Sequence, residues 1–336
     1  MRCSSLFLYN RNMGFYYLES DSTNPYFNLS VEEYLLDNLA VDDCVFYLWQ
    51  NDKTVVIGRN QEAKAECDLQ AMKDDGIKLA RRCSGGGAVY HDLGNLNFSF
   101  VMPTEIYDVK RQLSVIVEGL RSLGMTAIVS GRNDLTVNDA KISGNAFINR
   151  KTHSLHHGTL LVSTDFSSMS RYLTPSVYKL RKKAVSSVSS RVINLCSIKE
   201  ISIEELKKAL IAAFIEQYDC KLDKLDEHFE IDDHLKRHQS SDHLYGKDDL
   251  KAHMIEGIYD DCYYKFAFDV KNNKVEDIIL YSDSLKNDIE VLQNQLQNRG
   301  SEEILSILEN WFSVEEATRL SERFREVLLA KEADFR

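Results

Sequence analysis

The stretch RRCSGGGAVYHD, Arg81 to Asp92, constrains this chain more than any other. Three consecutive glycines are costly inside a regular element, because glycine gives up the most backbone freedom on ordering. They lie between KLARR (78–82), which reads as a strand, and AVYHD (88–92), which resumes strand alternation. The chain must therefore turn sharply within β structure, and a turn without Cβ atoms lets a ligand approach the backbone. Arg82 beside it supplies a planar guanidinium suited to phosphate or carboxylate. The Lys-Ser/Thr ending of a P-loop is absent. An anion cradle, a nucleophile site at Cys83 and a plain tight turn all stay open on these residues. A catalytic thiol needs a base and a lowered pKa. His91 is the nearest base in sequence, across the glycines, and a small half-buried side chain is the simpler reading of Cys83.

Around the turn the pattern of elements is irregular. FNLSVEEYLLDNLA after Pro25 reads as a helix, with Ser30 and Glu33 as a capping box. CVFYLWQ (44–50) and TVVIG (54–58) read as strands, with Asn51-Asp52 as the turn between them. A short helix is predicted from about Lys64 to Lys73, and NLNFSFVM (95–102) is a strand after Gly94. DVKRQLSVIVEGLRSLG has apolar residues at 113, 116, 117 and 120, a helical spacing that Gly124 ends. DLTVNDAKISGNAFIN (134–149) and SLHHGTLLVS (154–163) read as strands joined by a hairpin at Arg150 to His153. A helix is predicted over about 203–218, then a polar surface helix and linker over 221–253. YYKFAFDV and VEDIILYS form a strand pair across an Asn-Asn turn, and helices at about 284–298, 301–311 and 314–331 close the chain. This is not regular βαβ alternation. It predicts an α/β fold of the α+β type, with mixed, largely antiparallel sheets flanked by helices. The predicted division is a larger domain over 1–250 and a small α/β domain over 255–336.

Composition narrows the function classes. The chain has 336 residues, 43% of them hydrophobic, enough for a full core. No apolar run approaches the ~18 residues that span a bilayer, and no secretory leader is visible, which points to the cytoplasm and away from membranes. Seven scattered cysteines without a CxxC pair fit reduced thiols, not a disulfide frame or a zinc site. A net charge of −11 argues against a nucleic-acid binder. The basic block of Lys179, Arg181, Lys182, Lys183 and Arg191 reads as a solvated face, or as a dock for an acidic partner or polyphosphate.

A second cluster, GRNDLTVNDAKISG (131–144), sets Asn133, Asp134, Asn138 and Asp139 near Lys141. Carboxylates and amides suit Mg²⁺ with its waters, and a lone lysine suits a phosphate or a developing anion. Asn-Asp pairs are also common in turns, and a strand lysine commonly faces solvent. His156 and His157 are adjacent in a strand, so they point to opposite faces and do not share one ligand.

In this order, PYFNLSVEEYLL, LWQNDKTVVIGRNQ, ARRCSGGGAVYHDLGN, SGRNDL, KISGNAF, HHGTLL and SVSSRVINL closely resemble the lipoate–protein ligase A family, from Pro25 to about Leu195. The resemblance implies the biotin/lipoate ligase-like (class II synthetase-like) fold for the catalytic domain and an accessory role for the C-terminal one. It implies that lipoate and Mg-ATP give lipoyl-AMP and pyrophosphate, and that a carrier lysine then takes the lipoyl group. The implied carriers are apo lipoyl domains of 2-oxo acid dehydrogenase complexes and the glycine-cleavage H protein. Lipoate is the implied acid, with octanoate as an alternative, and the chain is implied to act as a monomer. Carried over by position, Lys141 matches the essential lysine. Arg82, Gly87, Ala88, Val89 and Tyr90 match ATP contacts, and Asn133 and Asp134 match the turn near nucleotide and Mg²⁺, with Asp134 as the metal ligand. Ser84, Gly85, Gly86, His91 and His157 match the acyl pocket. No protein nucleophile is then required.

The departures are residues 1–12, an extension before the family's start near Met13, Cys83 in place of Ser or Thr, and SDHLYGK in place of a Trp-rich segment. An octanoyltransferase would need a cysteine in a Pro-Cys-Gly context, where Ser176 follows Pro175 instead. A biotin ligase would need a GRGRxG-type loop, which is absent. A binding module with a dead site would not require Lys141 and Arg82 together.

Overall fold

The computed structural model describes residues 13–130, 134–174, 192–225, 229–246, 251–286 and 288–330. The expected basic block and Asn133 lie outside the described residues. The chain opens with β1 (Phe15–Glu19), α1 (Pro25–Asn38), β2 (Cys44–Trp49), β3 (Thr54–Ile57), α2 (Ala63–Glu66), α3 (Leu69–Asp74) and β4 (Lys78–Arg81). It continues through β5 (Val89–His91), β6 (Asn95–Pro103), α4 (Val109–Ser122), β7 (Ile128–Ser130), β8 (Asp134–Val137), β9 (Ala140–Asn149), β10 (His153–Leu161) and α5 (Phe166–Tyr172). After it come α6 (Ile203–Tyr218), β11 (Asp223–Lys224), α7 (Asp232–Gln239) and α8 (Ser241–Tyr245). The last elements are β12 (His253–Tyr259), β13 (Cys262–Lys271), β14 (Lys274–Ser282), α9 (Ile289–Leu296), α10 (Ser301–Leu308) and α11 (Val314–Leu329).

An eight-stranded sheet runs in the order β11-β1-β2-β6-β10-β9-β8-β7. Among its described strands only the β1 pairings are parallel. The mixed α/β architecture with largely antiparallel sheets is thus as expected. Strand alternation explains its core. Every residue of β6 is buried, and Leu96, Phe98, Phe100 and Met102 face α4 and α6 with Phe46 of β2. The Phe46 ring stacks on Phe100 at 4.7 Å and on Phe214 of α6 at 5.2 Å. The intervening residues of β6, Asn95, Asn97 and Ser99, face the other way, into the side covered by α1 and a smaller sheet, β4-β3-β5.

The C-terminal strands β12-β13-β14 form a third sheet. With α9, α10 and α11 they enclose a separate core around Phe266, Phe268, Leu292, Ile304 and Phe324. This body touches the glycine turn directly: Gly86 N–H donates to Ser284 O at 3.0 Å, and Ser282 N–H donates to Asn60 O at 2.7 Å. Lys265 also pairs with Glu62 at 2.6 Å.

Several local expectations are corrected. Helix α1 starts at Pro25, with Asn24 as its cap accepting from Tyr26 N–H, so Ser30 sits mid-helix and donates back to Tyr26 O. Proline at the first helical position preset that start. Glu33, freed from capping, binds Arg237 and His238 of α7. Strands β2 and β3 belong to different sheets, so Asn51-Asp52 joins two sheets and no hairpin. The 64–73 helix breaks into two, because Asp68 caps a fresh turn by accepting from Ala71 N–H. Residues 134–149 are a hairpin, turned at Asn138 and Asp139, whose φ values of 50° and 61° suit short side chains that tolerate the left-handed region. The polar segment before residue 253 packs as well: its His238 and Leu244 are buried.

Arg81 anchors that segment. Its Nε donates to His243 O at 2.6 Å and Nη2 to Leu244 O at 2.7 Å. Its Nη1 donates to the carbonyls of Gly58, Arg59 and Gln61. Burial lowers this guanidinium to about 10.

Candidate active site

A cavity of about 360 Å³ opens between the polar face of the large sheet, the glycine turn and the C-terminal body. Its inner wall combines Leu29 of α1, Trp49 of β2, Val56 of β3, Val89 and His91 of β5, and Asn97 of β6. These side chains share the wall because Trp49 and Asn97 are cross-strand partners, while β5 pairs with β3 over the top. At the more open side lie Asp134 and Lys141, about a third exposed, with Gly87 and Ala88.

The glycine turn is held from below by Arg82. Its Nη2 donates to Gly85 O at 2.6 Å and Gly87 O at 2.8 Å, Nη1 to Val56 O, and Nε to Ser84 Oγ at 3.1 Å. Burial lowers the guanidinium to about 10. The loop carbonyls are thus drawn to Arg82. No partner among the described residues takes the N–H of Gly87 or Ala88, and both residues line the cavity. Gly86 has φ +89°, and a Cβ there would press on Arg82 Nη2 at 3.0 Å. At Gly85 a Cβ would strike Ser284 O at 2.5 Å. The three glycines therefore serve two masters, a cavity on one side and the C-terminal body on the other.

Lys141 sits on β9 just past the Asn138-Asp139 turn, and its Nζ lies 2.8 Å from Asp134 Oδ1 across the hairpin. Gly144 lines the same wall, where a Cβ would already touch Lys141 Cε and Nζ at 3.4 Å.

Behind the cavity a buried relay fixes the polar face. Ser84 Oγ lies 2.6 Å from His157 Nε2, and His157 Nδ1 lies 2.9 Å from both oxygens of Glu32. Glu32 also accepts from Ser99 Oγ, which accepts from Trp49 Nε1 at 2.9 Å. The order Ser-His-Glu matches a hydrolase triad. Ser84, however, is fully buried and is not part of the cavity lining, so its hydroxyl positions His157 and Arg82. The Cys83 thiol is buried too, and burial with the Glu33 and Glu32 charges holds it well above the ordinary range, which removes it as a nucleophile. His156 faces away, between Gln112 of α4 and Asn145.

Of the expected site residues, Arg82, Gly86, Gly87, Ala88, Val89, His91, Asp134, Lys141 and His157 converge on this cavity. Ser84, Gly85 and Tyr90 stand behind it; the Tyr90 ring packs on Tyr172. Sequence reasoning missed Trp49, Asn97 and Thr159, which the two-residue period of β2, β6 and β10 would have put on one face. It also missed Asp283 and Leu285, which enter from the C-terminal body without any local signal. Among the described residues no group of three or more His, Cys, Asp or Glu could hold a metal ion. The arrangement suits an elongated apolar molecule with an anionic end, presented to a backbone cradle and a lysine.

Known proteins narrow this class. Residues 24–215 match the family described as the lipoyl protein ligase A/B catalytic domain. The lipoate-protein ligase A of Psychrobacter cryohalolentis is 39% identical over 281 residues, covering 80% of this chain and 83% of its own length. Among solved structures, P. falciparum LipL1 in complex with lipoate superposes with a TM-score of 0.78 at 30% identity, covering 95% of this chain and all of that one. A bi-partite lipoate protein ligase from Thermoplasma acidophilum, described with its E2 lipoyl domain, gives 0.61 at 32% identity, over 71% of this chain and 99% of that one. A lipoate-protein ligase A bound with ATP gives 0.60 at 31% identity, over 70% and 99%. The chain belongs to the lipoate–protein ligase A family. It is an enzyme of the ligase class.

Proposed function

We propose that the chain joins lipoate to a carrier lysine in two steps at this one cavity. The acyl tail lies against Leu29, Trp49, Val56 and Val89, with its carboxylate toward Lys141. The carboxylate attacks the α-phosphorus of ATP, a P–O bond forms, and pyrophosphate leaves. A carrier amine then attacks the carbonyl carbon of the mixed anhydride, an amide forms, and AMP leaves. Lys141 donates to the oxygens on which charge grows in both steps, the kind of donor whose loss costs about 3–4 kcal/mol. The N–H groups of Gly87 and Ala88 bind phosphate oxygens, and Arg82 holds the loop that presents them. Asp134 belongs to the nucleotide side of the site, the role that the family resemblance also gives to Asn133. Asp134 would hold Mg²⁺ together with the phosphates, since one carboxylate suits a cation that keeps most of its waters. Bound there, the cation neutralises phosphate charge.

The observation that carries this reading is the Lys141–Asp134 pair and a backbone cradle at the mouth of a cavity whose inner wall holds Leu29, Trp49, Val56 and Val89. The separate C-terminal core supports a catalytic domain over residues 1–250, extension 1–12 included, and an accessory domain over 255–336. No helix among the described residues is long and apolar enough to cross a membrane. The reading places the protein in the cytoplasm as a monomer, acting on lipoyl domains of 2-oxo acid dehydrogenase complexes and on glycine-cleavage H protein.

The test is incubation with lipoate, Mg-ATP and an apo lipoyl domain. Pyrophosphate release and a carrier mass gain of one lipoyl group are expected, both dependent on ATP. Transfer from an octanoyl carrier protein without ATP would instead establish an octanoyltransferase, and no transfer of either kind would leave a binding module.

A further inference from the structure

Two chains of hydrogen bonds meet at one buried carboxylate. Glu32 of α1 is 1% exposed, and its carboxyl faces Ser99 Oγ and His157 Nδ1. One chain starts at the Trp49 indole in the cavity wall and passes through Ser99. The other starts at the Arg82 guanidinium under the glycine turn and passes through Ser84 and His157.

The direction of every bond follows from the donors. An indole and a guanidinium only donate. Ser99 Oγ therefore takes the Trp49 proton at 2.9 Å and gives its own to Glu32. Ser84 Oγ likewise takes the Arg82 Nε proton at 3.1 Å. Its own proton has two places to go. One is His157 Nε2 at 2.6 Å; the other is Gly85 O at 3.5 Å, which already accepts from Arg82 Nη2. The shorter bond is the stronger. His157 Nε2 thus accepts, and the ring proton sits on Nδ1, 2.9 Å from both Glu32 oxygens. All donation runs toward Glu32, from the cavity wall on one side and from the glycine turn on the other.

We propose that Glu32 is a positioning residue for the ligation: as the common acceptor of both chains, its carboxylate sets the wall that takes the acyl tail and the turn that takes the phosphates as one unit. It acts through its partners, since Trp49, His157 and Arg82 line the cavity and Glu32 stands behind them. An amide of the same shape would break the order. In Glu32→Gln the oxygen stays with Ser99, whose chain cannot reverse because an indole only donates. The new N–H then meets His157, forces the ring proton to Nε2, and turns the Ser84 hydroxyl onto Gly85 O in competition with Arg82. This rests on the ligase reading above.

The first measurement needs only the unmodified chain. Ring ¹⁵N shifts should show His157 protonated on Nδ1 and bare on Nε2, the signal being assigned by its loss in His157→Gln. Glu32→Gln should move that proton to Nε2. It should also lower kcat/KM for pyrophosphate release by about tenfold to a hundredfold, the scale of a lost hydrogen bond to a charged group. The KM values for lipoate and for ATP should both rise. Ser99→Ala cuts only the indole chain and should raise the lipoate KM alone. Ser84→Ala cuts only the arginine chain and should raise the ATP KM alone. The serine variants decide the matter where Glu32→Gln fails to fold. A His157 protonated on Nε2 in the unmodified chain, an unchanged kcat/KM in folded Glu32→Gln, or equal shifts of both KM values in each serine variant would overturn the proposal and leave the ligase reading intact. No pyrophosphate release from lipoate and ATP by the unmodified chain would overturn the ligase reading, and the proposal with it.

Discussion

The two faces of the eight-stranded sheet are both buried at its central strand β6, yet they are built from opposite materials. One carries Phe46, Phe98, Phe100 and Leu160 against α4 and α6. The other, one residue out of phase on the same strands, carries Asn97, Ser99 and His157 against α1 and the cavity. Hydrocarbon can be buried without further conditions, but a polar group must find a partner or cost free energy. The polar face meets much of that demand through the relay from Trp49 to Ser84. The difference separates a face that holds the fold from a face that holds a ligand.

That contrast can be broken by substitution. Phe100→Ala should cost about 3–5 kcal/mol of stability in denaturant unfolding. A larger stability loss from Asn97→Leu than from Phe100→Ala would erase the distinction. Lys141→Ala should slow adenylation by about 10²–10³-fold with an unchanged unfolding midpoint, as for removal of a preorganised donor. A large drop in that midpoint would move Lys141 from chemistry to scaffold.

Glu33 sharpens the contrast from the rim. Burial pushes its carboxyl up, but the hydrogen bond from His238 and the charges of Arg237 and His238 outweigh it and hold it at about 2, below the ordinary 4.5. A depressed carboxyl contributes stability that is complete above the unfolded value and lost as pH falls through the folded one. The melting temperature should therefore fall from about pH 5 toward pH 2. Glu33→Gln should flatten that slope and cost roughly 1–3 kcal/mol at neutral pH. A slope unchanged in the variant would assign the acid loss elsewhere. The smallest effect is expected at Cys83→Ser, where adenylation stays essentially unchanged; a large loss would return the thiol to the mechanism.

Much of this was legible in the residues. Helix α6 and the Gly124 stop of α4 follow from periodicity and from a glycine at φ +81°. The convergence of the glycine turn with Lys141 followed from resemblance, since nothing local brings residues so far apart together. The Asn138-Asp139 hairpin was hidden because its two strands read as one apolar run. The Ser30-Glu33 capping box failed because Asn24 and Pro25 offered an earlier start. Leu285 was beyond reach, since its place at the cavity depends on how a second core docks. Its role was set by Ser284 O receiving the Gly86 N–H.

Arg81 deserves a different description from its neighbour. With five carbonyl oxygens around it and no carboxylate among its hydrogen-bond partners in the described residues, it resembles a cation in an ionophore, except that the ion is tethered to the chain. Such a site needs no metal supply and cannot be stripped by a chelator. It also ties strand β4, the loop after β3 and the short helix α8 to a single side chain. These segments, reaching from Gly58 to Leu244, share one coordination sphere, and are expected to open together or not at all.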